Sequence, residues 1–354
     1  MMRIAQVAPL YESVPPKFYG GTERVVSYLT EELVRQGYEV TLFASGDSVT
    51  KAHLVAPCPR SLRLDSNCFD RLAHHVLMLE QVFKDPTRFD LLHFHVDYLH
   101  FPLSRRFRVP HVTTLHGRLD IADLVPLFQE FREMPVISIS NAQRKALPWA
   151  NWLGTVYHGL PEDLYTFREA PGRYLAFLGR ISPEKRVDHA IEIARRAGMP
   201  IKIAAKVDQV NHEYFEGTVA PLLKDPLVEY IGEIGEAEKD AFLGNAYALV
   251  FPIDWPEPFG LVIIEAMACG TPIIAYRQGS VPEVMEEAST GFIVESLEGA
   301  VQAVERVPTL SRHRCRQVFE ERFTASRMAR EYLSIYRRLL TREVQPVPLA
   351  TSAD

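Results

Sequence analysis

Short apolar runs of strand length alternate with helix-period segments along this chain, and after residues 161–173 the alternation starts again. Strands separated by helical stretches make parallel sheets covered by helices on both faces. In the first half the strand signals fall at 3–8, 40–44, 90–96, 109–115, 135–139 and 153–157. In the second they fall at 174–178, 201–205, 228–231, 248–252, 272–275 and 291–294. Pro161, Pro171 and Gly172 interrupt the pattern between the two sets, so the domain boundary is placed there. The reading is an N-terminal α/β domain over 1–165 and a second over 166–325. A closing helix over 326–340 follows, then a disordered tail over 341–354 with Pro346 and Pro348.

Composition narrows the class. A chain of 354 residues, 47% hydrophobic and 24% charged, is an ordinary globular protein long enough for two cores. Its net charge of −6 argues against a general nucleic-acid binder. Cys58, Cys68, Cys269 and Cys315 are scattered with no Cys-x-x-Cys pair, which points to a reducing cytoplasm. The start, Met1 to Pro9, reads as a first strand rather than a signal-peptide core, and no apolar run reaches membrane-spanning length.

The most informative stretch runs from Trp255-Pro256-Glu257-Pro258-Phe259-Gly260 to Gly270-Thr271-Pro272. It reads as a helix with Pro258 in its first turn and Gly270 as its stop. The free N–H groups near Phe259, Gly260 and Leu261, with the helix dipole behind them, favour an anion there. Glu257 sits at the mouth, and Glu265 lies among apolar residues further along. Each carboxylate alone also reads as a local structural acceptor. Framing an anion-ready helix start, the pair suits a ligand with an anionic centre and hydroxylated groups on both sides. A sugar nucleotide has that form.

Other segments add to this. Gly20-Gly21 at a strand-to-helix turn resembles a phosphate loop, although a tight turn with Thr22 as cap explains it equally. Arg180 and Lys185 follow the first strand of the second half and suit a diphosphate; a solvated basic turn is the alternative. Lys206 is a further cation after the next strand. His116-Gly117 ends the strand at 109–115, where open α/β sheets hold ligands. His93, His95, His100, His111 and His116 raise a metal-site alternative, against strand-end histidines that hydrogen-bond near a cleft. Residues 103–108 and 149–152 mix basic and aromatic side chains and read either as solvated surface or as contact with an anionic membrane.

Glu257-Pro-Phe-Gly with Glu265, Gly179-Arg180 with Lys185, Gly20-Gly21 and the C-terminal helix pair together resemble family 4 glycosyltransferases of the GT-B fold. The resemblance implies two Rossmann-like domains facing each other across a cleft, the last helix crossing back. It implies transfer of a hexose from a nucleoside-diphosphate sugar, UDP-glucose-type favoured and GDP-mannose-type open, with retention and without a metal or other cofactor. Arg180 and Lys185 would hold the diphosphate, Glu257 the donor sugar and Glu265 the ribose. Phe259, Gly260 and Leu261 would face sugar and phosphates through their amides. Gly20 and Gly21 would close from the other domain, His116 would approach the sugar, and residues near Gly232 to Ile234 would lie at the base. The chain departs from the family pattern at His158-Gly159 and at 205–208. The acceptor, whether small molecule, glycan or lipid-linked, is not legible, nor is the oligomeric state. A cytoplasmic enzyme, peripheral at the membrane if its acceptor is a lipid, is the expectation. An epimerase or hydrolase on the same fold, or a non-catalytic nucleotide-sugar sensor, are the competing readings.

Overall fold

Two parallel sheets organise the computed structural model, which describes residues 1–107 and 109–343. The first sheet contains β1 (Arg3–Val7), β2 (Glu39–Phe43), β3 (His53–Val55), β4 (Leu91–Phe94), β5 (His111–Thr114), β6 (Val136–Ser138) and β7 (Trp152–Thr155). Its order is β3-β2-β1-β4-β5-β6-β7. The second contains β8 (Leu175–Ile181), β9 (Ile201–Val207), β10 (Val228–Gly232), β11 (Ala248–Phe251), β12 (Ile273–Tyr276) and β13 (Gly291–Val294), ordered β10-β9-β8-β11-β12-β13. Strand order reverses between β1 and β4 in one sheet and between β8 and β11 in the other. Such switch points open a crevice beyond the carboxyl ends of the strands. The loops after β1, β5, β8 and β11 all reach one shared cleft. This is the two-domain GT-B architecture.

Four helices matter for that cleft: α1 (Gly21–Arg35), α2 (Glu236–Gly244), α3 (Leu261–Ala268) and α4 (Ala325–Glu343). α3 is buried all round, with Ile263, Ile264, Ala266 and Met267 fully enclosed. It ends as its sequence demands. Gly270 takes φ +80°, its N–H meets the Met267 carbonyl at 2.9 Å, and the Thr271 N–H meets that of Ala266 at 2.8 Å. These two bonds form a Schellman stop. α4 packs on α1 in the first half, burying Met328, Tyr332 and Tyr336. The chain thus returns to its N-terminal sheet.

Several boundaries differ from those read in the sequence. α3 starts at Leu261, not at Pro258, because Gly260 adopts φ +82° and breaks the helical path before it. β8 runs on through Gly179 and Arg180, which reading had put in a loop. The segment between β2 and β4 holds a strand and a helix, Arg71–Phe83, that went unread. Residues 341–343 continue α4 rather than opening a tail, and the rest of that expected tail lies outside the described residues.

Candidate active site

The cleft between the sheets encloses about 530 Å³, a volume suited to a small polar ligand. Two helix starts face each other across it. α1 begins at Gly21 and α3 at Leu261, and neither has a side-chain cap. A Cβ built on Gly21 would stand 3.4 Å from the Leu261 side chain, so the two starts nearly touch. A Cβ on Gly20 would lie 2.8 Å from Pro16, so a larger residue does not fit there without a shift. Among the described residues, the N–H groups of Phe259, Gly260, Leu261 and Val262 make no hydrogen bond. Two uncapped N-termini therefore aim their dipoles and free amides into one space, an arrangement that favours an anion.

The second domain's wall supplies cations, each tied to a carboxylate. Arg180 and Lys206 are register partners on β8 and β9, so their side chains share one face of the sheet. Both reach Asp208, Lys206 at 2.9 Å and Arg180 at 3.6 Å, and Arg180 also meets Glu184 at 3.2 Å. The Lys206 ammonium stands 4.8 Å from the centre of the Tyr19 ring, which comes from the opposite domain. Lys185 contacts Glu257 Oε2 at 2.5 Å, and the Trp255 indole N–H donates to the same oxygen at 2.7 Å. Glu257 Oε1 takes no hydrogen bond among the described residues.

Glu265 repeats this design deeper in the cleft. Its Oε1 accepts from Lys239 of α2 at 2.8 Å, while Oε2 has no partner among the described residues. Burial pushes the Lys239 ammonium below its ordinary pKa, against the pull of Glu265. Both carboxylates are thus anchored by a lysine through one oxygen, and the other has no partner among the described residues.

The first domain's wall differs in kind. His116 lines the cleft at the end of β5, its Nε2 2.9 Å from Nδ1 of His95. His158 stacks on it with ring centres 5.4 Å apart and meets Phe259 edge-on at 4.7 Å. Burial pushes His116 down to about 3 and holds His95 and His158 well below the usual histidine range, so all three are neutral. Glu23, in the first turn of α1, also lines the cleft, and burial raises its carboxyl to about 7.

The structure brings Gly20, Gly21, His116, Arg180, Lys185, Lys206, Glu257, Phe259, Gly260, Leu261 and Glu265 to this one cleft. Gly232 does not join them. Its φ of +80° turns the chain at the end of β10, and of the expected segment 232–234 it is Glu233 and Ile234 that line the wall. Reading the sequence missed Lys239, Glu23 and Arg24; the last is buried against Glu236 of α2 across the domain boundary. The histidine metal alternative does not hold as a geometry. His93 bonds Thr114 and Tyr336, and His100 bonds Ser104 and Thr113. Among the described residues no three His, Cys, Asp or Glu side chains converge as ligands. Of the residues read as possible membrane contact, Arg105 pairs with Glu130 and Glu133 and the Trp152 indole bonds the Leu147 carbonyl, while Phe107 is exposed and Arg108 lies outside the described residues. Among the described residues, no helix is long and apolar enough to cross a membrane.

A two-domain α/β protein with a cleft at facing switch points, its helix starts and cations favouring an anion, is the class that fold and site define. Comparison with known proteins names the family. Residues 19–180 match the model "Glycosyltransferase Family 4" and residues 167–319 match "Glycosyl transferases group 1". The chain belongs to the family 4 glycosyltransferases of GT-B type. It is similar to a D-inositol 3-phosphate glycosyltransferase of Pseudarthrobacter chlorophenolicus, 24% identical over 79% of this chain and 80% of that protein. It also resembles an uncharacterized 41.2 kDa protein in the cps region of Klebsiella pneumoniae, 28% identical over 46% of each chain, so that match spans about half of the relative. Among solved structures, Anabaena HepE in complex with UDP and glucose superposes with a TM-score of 0.72 over 96% of this chain and 100% of that one. Their identity is 19%, so this likeness speaks for the fold alone.

Proposed function

We propose that this glycosyltransferase moves a hexose from a nucleoside-diphosphate sugar, UDP-glucose-type favoured over GDP-mannose-type, with retention and without a metal ion. One observation carries the reading: two uncapped helix starts and the cations Arg180, Lys185 and Lys206 meet around one cleft. A diphosphate there would draw Lys185 from Glu257 and Arg180 from Glu184 and Asp208, placing three cations and the α3 amides around the leaving group. Such preorganised charge stabilises a departing anion without a metal, each good donor being worth about 2.7–4 kcal/mol. Glu265 Oε2 takes the ribose hydroxyls and Glu257 Oε1 those of the sugar, while Glu233 and Ile234 meet the base.

The acceptor enters at the rim lined by Tyr11, Phe18, Arg63 and Arg71. Attack on the same face from which the diphosphate leaves gives retention with no protein nucleophile, and Glu257 then serves positioning and electrostatics. HepE, which shares the fold, was crystallised with UDP and glucose, so a uridine donor is the first to test. The test is nucleotide release from UDP-glucose and GDP-mannose over an acceptor panel in the presence of EDTA, with the product's anomeric configuration read by NMR. Acceptor-dependent release of UDP with an α-linked product supports the reading. Release of free glucose regardless of acceptor, or activity lost to EDTA and restored by a divalent ion, would count against it.

A further inference from the structure

A continuous chain of buried hydrogen bonds links α4 to His116. Gln6 Nε2 faces the Tyr336 hydroxyl at 3.4 Å, and Gln6 Oε1 stands 2.8 Å from His95 Nε2. His95 Nδ1 in turn stands 2.9 Å from His116 Nε2. On the other branch the Tyr336 oxygen lies 2.6 Å from His93 Nδ1, and His93 Nε2 lies 2.8 Å from the Thr114 hydroxyl. Gln6, His93 and Tyr336 are completely buried, and His95 is nearly so. His116 Nδ1 is also buried and has no partner among the described residues.

These contacts give the chain a direction. The Gln6 amide N–H donates to the Tyr336 oxygen, so the Tyr336 proton is left for His93 Nδ1, 2.6 Å away. That orients Gln6 with Oε1 toward His95. An amide oxygen only accepts, so His95 carries its proton on Nε2 and offers a bare Nδ1. His116 must then donate from Nε2, which leaves its own Nδ1 without a proton.

We propose that Tyr336, acting through Gln6 and His95, holds His116 as the Nε2–H tautomer, so that His116 accepts a hydrogen bond at Nδ1 from a hydroxyl of the bound sugar. The contact with sugar rests on the glycosyltransferase reading; the tautomer does not. Gln6, His95 and Tyr336 are positioning residues, since none of the three lines the cleft. The closing helix thereby sets the chemical state of a group in the cleft.

Nitrogen-15 NMR of the full chain labelled at histidine, with His116 assigned through His116→Gln, reads the tautomer directly. The expected wild-type spectrum has a protonated Nε2 and an unprotonated Nδ1. Gln6→Leu removes the acceptor that fixes His95, and the His116 signals should then report mixed tautomers. Its kcat for nucleotide release should fall about tenfold, the loss of one well-placed hydrogen bond, with the donor KM within about twofold. If Gln6→Leu does not fold, Tyr336→Phe frees the Gln6 amide with almost no change of volume and makes the same test. A wild-type His116 protonated on Nδ1 would overturn the relay, as would a folded Gln6→Leu with an unchanged tautomer. Adding UDP-glucose separates the two readings. A donor that moves other cleft signals but leaves Nδ1 in place overturns the sugar contact. A donor that moves none counts against the glycosyltransferase reading and leaves the tautomer result standing.

Discussion

The two walls of the cleft handle polarity in different ways. On the second domain's side the working groups are ion pairs: Lys185 with Glu257, Lys239 with Glu265, and Arg180 and Lys206 with Asp208. On the first domain's side a neutral cluster stands beside charged residues: His116 and His158 are held uncharged by burial and Glu23 keeps its proton to about pH 7, whereas Arg24 and Arg63 are ion-paired, with Glu236 and Glu12. A leaving diphosphate develops charge, and paired cations can be redirected to it. A sugar ring is uncharged and hydroxylated, and it needs directional donors and acceptors whose proton positions are settled. Each wall thus has the electrostatics of the ligand portion it is proposed to meet.

The comparison is tested most severely at Lys239. Its ammonium and the Glu265 carboxylate are both largely buried, at 12% and 3% side-chain exposure. Replacing Lys239 by Met leaves a buried carboxylate without its counter-charge, and breaking such a pair typically costs about 3–5 kcal/mol. Urea denaturation of Lys239→Met should show a loss of that order, and Lys239→Met/Glu265→Leu should recover most of it. A single variant as stable as wild type would mean that this wall does not depend on pairing.

Lys185 follows, because the role proposed for it is catalytic rather than structural. Lys185→Ala should lower turnover by about two orders of magnitude, the loss expected on removing one donor to a departing oxyanion. An unchanged rate in the nucleotide-release assay would remove Lys185 from the site.

On the first domain's wall the sharper probe is pH. Burial, opposed by its own backbone N–H and by Arg24, raises Glu23 to about 7. The folded protein therefore keeps a proton that the unfolded chain releases in the ordinary carboxylate range. The resulting stability is fully present below that range and is lost as pH rises through about 7. Between about pH 5.5 and 7.5 wild type should lose about 2 kcal/mol relative to Glu23→Gln. Parallel stability profiles for the two proteins would show that Glu23 is ionised throughout.

The two walls were not equally legible in the sequence. Glu257 and Glu265 stand in one short motif and Arg180 and Lys185 in another, and the family resemblance rather than spacing is what joins the two, since Lys185 and Glu257 are 72 positions apart. The start of α3 was misplaced because Pro258 is a strong first-turn cue, while the left-handed Gly260 that ends the irregular segment is visible only in the backbone. Arg180 was assigned to a loop because polar residues at a strand's cleft end look like its termination. Lys239 gave no signal, since its partner lies 26 residues away and it sits on an ordinary charged helix. The histidine relay was less accessible still. Gln6 and Tyr336 are 330 positions apart, and no local pattern marks a glutamine as the group that orients a histidine.

The smallest expected effect bears on how the walls are held together. Glu283, from the second domain, accepts from the backbone N–H groups of Asn141 at 2.7 Å and Ala142 at 2.5 Å, and from the Tyr157 hydroxyl at 3.0 Å. A carboxylate of one domain thus caps a short helix of the other, beside Ser140, which caps the same turn from within at 3.0 Å. Removing a cap costs about 1 kcal/mol, and here Ser140 remains to satisfy part of the helix start. Glu283→Ala should therefore destabilise the protein by about 1 kcal/mol in urea, with Glu283→Gln intermediate because its amide oxygen still accepts. Turnover at saturating donor should stay as in wild type, since Glu283 does not line the cleft. Full stability in the alanine variant would mean that other contacts between the domains, Arg24 with Glu236 among them, hold the alignment without it. A fall in turnover with stability intact would mean instead that the mutual position of the walls, and not only their separate chemistry, limits the reaction.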